Sequence, residues 1–68
     1  MAVVKVIEVL AESTKGWEDA TQEAVTEVSS TIKDIQSVYI SNMQAIVENN
    51  KIVKYRINAK VSFLVNKD

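Results

Sequence analysis

The chain has 68 residues with no cysteine and no histidine, and its net charge is −1. This composition excludes disulfides, thiolate zinc sites and a histidine general base, and it provides no basic field for nucleic acid or an anionic membrane. So short a domain buries a small share of its surface and is only marginally stable alone, so self-association is expected in preference to an ordinary monomer. We expect a single domain over residues 1–68, cytoplasmic, with neither a signal peptide nor a membrane span.

The first half of the chain predicts one strand followed by one helix. Val3–Leu10 is rich in Val and Ile, which is typical of a β-strand. Residues 11–16 break this pattern, and Ser13 or Thr14 is the predicted N-cap. Apolar residues then recur every three or four positions, which predicts an amphipathic helix over about residues 15–33. The apolar stripe comprises Trp17, Ala20, Ala24, Val25, Val28, Ile32 and Ile35.

The second half predicts a β-hairpin. Ser37–Val47 and Ile52–Leu64 read as strands, and Asn49 and Asn50 between them suit a two-residue type I′ turn. Glu48 and Lys51 would then be paired. The face predicted to pack on the helix carries Val38, Ile40, Asn42, Gln44 and Ile46 from the first strand and Val53, Tyr55, Ile57, Ala59, Val61 and Phe63 from the second. The opposite face carries Ser37, Tyr39, Met43, Ala45, Lys54, Arg56 and Lys60.

These elements predict an α+β fold, β-α-β-β, in which a three-stranded antiparallel sheet wraps around one helix. Such a sheet leaves one face open and has two edges, and both kinds of surface invite partners. On the open face, Tyr39 and Met43 are predicted to pack at an assembly contact in preference to a ligand. Lys54, Arg56 and Lys60 form a basic row with two open interpretations, namely contact with a phosphate group or simple exposure to solvent.

The segments VVKVIEVLAES, GWEDATQEAV and VYISNMQAIVENNKIVKYRINAKVSFLV resemble the dodecin family over almost the whole chain. The resemblance implies a non-enzymatic protein that assembles into a hollow homododecamer and stores or buffers flavin, either riboflavin or FMN. In flavin-binding dodecins a Trp ahead of the second strand stacks on the ring, and a Gln after a Tyr on the third strand hydrogen-bonds its polar edge. Aligned through Tyr55, these positions hold Ser37 and Arg56. The implied pocket is therefore altered and weakened, because Ser has no ring and Arg has no acceptor.

Three functional hypotheses remain open. The first is a flavin shell in which another aromatic residue or Arg56 replaces the missing Trp. The second is a shell that binds calcium or another small ligand, because symmetry can gather carboxylates that form no linear motif. The third is an enzyme, which is least favoured because the chain lacks the residues of a nucleophile–base pair. Trp17, at the head of the apolar stripe, is interpreted as a core or interface residue and not as a ligand-stacking ring.

Overall fold

The fold was analysed on a computed structural model that describes residues 2–66. Strand β1 is Val3–Ser13, helix α1 is Trp17–Ser29, strand β2 is Ile35–Glu48 and strand β3 is Lys51–Asn66. Both strand pairs are antiparallel, and β3 lies between β1 and β2. The predicted α+β fold, a three-stranded antiparallel sheet with one helix in the order β-α-β-β, is confirmed. Strands β1 and β2 form the two edges of the sheet.

All three strands are longer than the sequence predicts. Each exceeds its predicted length by three residues, and in β1 all three lie at the end of the strand, where residues 11–13 were expected to break it. They instead continue the ladder with β3, and Ala11 pairs with Ile57 and Ser13 with Tyr55. Because residues 12 and 13 are polar, hydrophobicity alone does not predict this extension. Pairing with a central strand supplies the backbone hydrogen bonds that local propensity does not predict.

Helix α1 is shorter than predicted at both ends. Its N-cap is Gly16 and no side chain caps it, so the prediction of Ser13 or Thr14 as N-cap is wrong. The Ser13 hydroxyl instead accepts a hydrogen bond from the Lys15 N–H at 2.9 Å and donates one to Asp19 Oδ2 at 2.6 Å. At the other end, the hydroxyls of residues 29 and 30 donate to carbonyls three residues earlier. Such local bonds compete with helix continuation, which explains the early end.

The core lies between α1 and the centre of the sheet. Ala20, Ala24 and Val28 form the buried face of the helix, as the apolar stripe predicts. Ala20 and Ala24 pack against Ile57 and Ala59 of β3, and these two β3 side chains are fully buried. Alanines at the contact let the helix axis approach the sheet closely, because they present no side chain beyond Cβ. We call this covered side of the sheet the inner face.

The hairpin turn is the type I′ turn that the sequence predicts. Asn49 and Asn50 have φ values of 53° and 64°, and Glu48 pairs with Lys51. The predicted register holds beside the turn and again from Ile40 back to Ser37, before a further irregularity between Ser37 and Ile35. Between these stretches it is shifted by one residue, because irregularities lie between Ile46 and Val47 and between Ile40 and Asn42. A bulge adds one residue to one strand, and this reverses which face the following side chains occupy.

The shift corrects the predicted faces of five residues in β2. Met43 and Ala45 pair with Ile57 and Tyr55 and therefore lie on the inner face, although both were predicted on the opposite one. Asn42, Gln44 and Ile46 pair with Asn58, Arg56 and Lys54 and lie on the outer face, although they were predicted to face the helix. Arg56 consequently lies opposite Gln44.

Candidate functional site

The candidate site lies on the sheet face that the helix leaves uncovered, which we call the outer face. Because side chains alternate along a strand, the even-numbered residues of β3 point to this side when its odd-numbered residues contact the helix. Of the predicted site residues, all except Met43 lie on the outer face. They are Ser37, Tyr39, Lys54, Arg56 and Lys60.

At one end of the outer face, Glu12 contacts two cations of β3, Arg56 and Lys54. It pairs directly across the β1–β3 ladder with Arg56, whose Nε donates to Glu12 Oε2 at 2.7 Å and whose Nη2 also contacts that oxygen. Lys54 Nζ lies 3.6 Å from Glu12 Oε1. The sequence reading missed this cluster, because it assigned no register between β1 and β3. Glu8 and Glu12 lie opposite Lys60 and Arg56 of β3, and opposite charges at such cross-strand positions were the available signal.

The ion pair changes the titration of Glu12. The hydrogen bond from Arg56 holds the pKa of this carboxyl below its usual value, partial desolvation opposes that effect, and the charges of Arg56 and Lys54 add to it. These side chains are about one third or more exposed, so the pair contributes little to stability. Its main consequence is geometric, since it holds the Arg56 guanidinium over β1.

At the other end of the outer face, Ser37 lies opposite Ser62. Their hydroxyl oxygens are 2.5 Å apart. At about 3.3 Å per residue, the six residues of β3 from Arg56 to Ser62 span roughly 20 Å. The structure therefore does not bring the two family positions, Ser37 and Arg56, together within one subunit. Their role in ligand binding stays a prediction that concerns an assembly.

Tyr39 and Lys60 form the neighbouring cross-strand pair. Tyr39 is 65% exposed, which makes it the aromatic ring most accessible from this face. Among the described residues Lys60 makes no ion pair within 4 Å, although Glu8 lies opposite it on β1. The predicted basic row is therefore divided into two cations paired with Glu12 and one free cation. The aromatic ring and this free cation lie together on one subunit.

Asn58 occupies the middle of the outer face, between Arg56 and Lys60 along β3. It lies opposite Leu10 on one side and Asn42 on the other. Its Oδ1 atom is buried and has no hydrogen-bond partner among residues 2–66. Buried polar atoms are almost always paired, so a lone acceptor calls for an explanation. Sequence reasoning did not single out this residue, because an Asn in an alternating strand looks like an ordinary solvent-facing position.

On the inner side, an open groove of about 890 Å³ separates the start of α1 from edge strand β2. Trp17, Val25, Val38, Ile40 and Met43 contribute its apolar lining. Trp17 donates from Nε1 to the Gln44 carbonyl at 3.0 Å, and its ring meets Tyr55 edge-on at a centroid distance of 5.0 Å. These contacts confirm that Trp17 is a packing residue of this subunit.

Within residues 2–66, no group of three or more acidic side chains is arranged to hold a metal ion. In the same part of the chain, no helix combines the length and the apolar character needed to cross a bilayer.

Comparison with known proteins points to one family. The family model described as Dodecin matches residues 3–66. The "Calcium dodecin" of Mycobacterium tuberculosis is 33% identical over 63 residues, which are 93% of this chain and 89% of that protein. A crystal structure of calcium dodecin from the same organism superimposes with a TM-score of 0.82 at 31% identity, covering 94% of this chain and 91% of that one. A dodecin from Streptomyces coelicolor has a TM-score of 0.90 at 21% identity, with 98% and 96% coverage.

Proposed function

Since the chain belongs to the dodecin family, we propose that it is a non-enzymatic binding and storage protein, a cytoplasmic homododecamer that holds a small molecule. Flavin is the proposed ligand, bound more weakly than in relatives that keep the Trp and the Gln. Neither nucleic acid nor a membrane is a proposed partner, because the chain has a net charge of −1 and carries no basic patch beyond the row on β3.

Self-assembly is supported by the surfaces that one subunit leaves uncovered. Val4, Val6, Leu10 and Tyr39 are more than half exposed, and β1 and β2 present unpaired sheet edges. The apolar groove beside Trp17 adds an inner surface of the same kind. A chain of 68 residues with such surfaces gains the burial that it lacks by contacting further copies of itself.

The observation that carries the proposal of weakened flavin binding is that both family positions are occupied by contacts within the chain. Ser37 pairs with the Ser62 hydroxyl, and Arg56 is held by Glu12. A stacked aromatic ring contributes about 1–3 kcal/mol by analogy with base stacking, and Ser37 supplies none. The Arg56 guanidinium has only donors, so it cannot accept an N–H from the ring.

Restoring the family residues tests this proposal. Ser37→Trp should raise riboflavin affinity by about tenfold or more, from the stacking energy, and adding Arg56→Gln should raise it further by supplying an acceptor. Because the two positions lie roughly 20 Å apart within a subunit, the gain should be seen only in the assembled protein. Quenching of riboflavin fluorescence measures the affinity, and light scattering measures the assembly.

Tyr55→Phe is the matched control, because it changes a β3 side chain on the inner face and should leave riboflavin binding unchanged. If the unmodified protein bound riboflavin as tightly as the double variant, or more tightly, the proposal of a weakened site would be contradicted. An assembled double variant that gains no affinity would show that flavin is not the ligand.

Calcium is the second candidate, favoured by the relative named calcium dodecin at 33% identity. Because the described residues of one subunit hold no acidic cluster, such a site requires carboxylates from several subunits. Calcium should then raise the thermal midpoint of the assembly, and magnesium at equal concentration should raise it less because it demands a smaller octahedral site. No shift with either ion would eliminate this candidate.

A further inference from the structure

On the outer face, Asn58 offers an unpaired hydrogen-bond acceptor close to the position where the family has its Gln. Arg56 has no acceptor to offer at the position of the family Gln, and Asn58 is the next residue on the same face of β3. Its Oδ1 is buried without a donor. An unpaired buried acceptor is destabilising, and an apolar side chain of similar shape would avoid that cost. A hydrogen-bond donor that reaches Oδ1 from outside the subunit accounts for the presence of Asn58.

We propose that Asn58 Oδ1 is the acceptor for the imide N–H of a planar heterocyclic ligand whose ring lies on Tyr39. The proposal rests on the proposed function and deepens it, because it assigns recognition to residues other than the two family positions. The ligand class is an aromatic ring system with an N–H on its polar edge, which includes the flavins.

Register places these two residues within reach of one ring. Asn42↔Asn58 and Tyr39↔Lys60 are successive cross-strand pairs on the outer face, separated on β2 by the irregularity at Ser41. Diagonal neighbours in a sheet are about 7–8 Å apart, which is within the length of a fused ring system. The Ser41 hydroxyl donates to the Asn58 carbonyl at 3.0 Å, which ties the irregularity to the Asn58 backbone.

Access to the acceptor requires movement of a side chain that is not part of the core. Leu10, directly opposite Asn58, is 68% exposed, so it can change rotamer without opening a cavity in the packed interior. Asn42, on the other flank, is also exposed. The inner face beneath Asn58 is formed by Ile57 and Ala59 and stays unchanged.

The experiment compares riboflavin with 3-methylriboflavin, in which a methyl group replaces the imide hydrogen, on the assembled full-length protein. The unmodified protein should bind the methylated ring about fivefold to tenfold more weakly, as expected for one lost hydrogen bond with its acceptor left unpaired. Asn58→Leu should bind riboflavin more weakly by a similar factor and should no longer distinguish the two ligands. Asn58→Asp keeps an acceptor oxygen and should preserve the discrimination.

Gln44→Ala is the matched control and should leave the discrimination intact, because Gln44 is an exposed residue of the outer face to which no ligand contact is assigned. Tyr39→Ala should weaken both ligands equally, since stacking does not involve the imide. Equal binding of the two ligands by the unmodified protein would overturn the proposal without any variant. An Asn58→Leu variant that assembles, is less stable without ligand and binds riboflavin normally would also overturn the proposal. In that case the donor to Asn58 would belong to a neighbouring subunit.

Failure of the proposed function has a different signature. Riboflavin would then bind neither the unmodified protein nor the variant that carries Ser37→Trp and Arg56→Gln, and the assignment of Asn58 would fall with it. If the double variant binds riboflavin and Asn58→Leu has no effect in the unmodified background, the flavin shell stands and only the assignment of Asn58 is wrong.

Discussion

The two faces of the sheet are built from the same three strands and differ in almost every physical respect. On the inner face, Ile57 and Ala59 are fully buried under the helix alanines. On the outer face, Leu10 and Tyr39 are 68% and 65% exposed, and an ion cluster, a hydroxyl pair and an unpaired amide oxygen lie among them. Successive residues of β3 therefore belong to different environments.

This contrast separates folding from recognition. Apolar burial is the main favourable contribution to folding, and within one subunit it is concentrated on the inner face. The outer face contributes little to the stability of the subunit and carries the groups that can meet a ligand or another copy of the chain. Substitutions on the two faces should accordingly have different effects, on unfolding in one case and on binding in the other.

The largest effect is expected from a charge placed under the helix. Val28→Asp would bury a carboxylate without a partner against the sheet, because Val28 is only 9% exposed. We expect a loss of about 3–5 kcal/mol, measured by urea denaturation. Glu27→Ala, one residue away on the exposed side of α1, should change stability by less than about 0.5 kcal/mol. An equal loss of stability in both variants would contradict the assignment of Val28 to the buried side of α1 and Glu27 to its exposed side.

A smaller effect is expected from a cavity in the central strand. Ile57→Ala removes a fully buried side chain and should cost about 2–5 kcal/mol in the free energy of unfolding. Lys60→Ala, on the opposite face of the same strand, should cost less than about 0.5 kcal/mol. A Lys60 variant as unstable as the Ile57 variant would show that the outer face is tightly packed in the assembly.

The smallest effect concerns acid. Because the folded-state pKa of Glu12 is lowered below the ordinary value of 4.5, its ion pair stabilises the fold fully above that pH and is lost as the pH falls through the lowered pKa. The urea midpoint of the unmodified protein should therefore decline more steeply in this acidic range than that of Glu12→Gln. Added salt should reduce the difference, since the pair is exposed to solvent. Parallel pH profiles would mean that the pair is not maintained in solution.

The order and type of the elements, the buried stripe of α1 and the Asn49–Asn50 turn all follow from the sequence by itself. Each of these depends on residues close together in the chain, through the periodicity of a helix or the φ preference of a turn. The resemblance to dodecins also identified the family, and it predicts Ser37 and Arg56 as the two altered positions. Whether these positions hold a ligand depends on contacts between subunits, which neither periodicity nor resemblance determines.

Only the tertiary structure decided the central place of β3, the extension of β1, and which residues of β2 share a face. One extra residue in a strand reverses the orientation of every side chain that follows until a second irregularity restores it, and for this reason Met43 lies on the inner face and Gln44 lies beside Arg56. The pairing of Glu12 with Arg56 and the unpaired acceptor of Asn58 depend on the same ladder. These features depend on residues that are far apart in the sequence, so local hydrophobic patterns do not predict them.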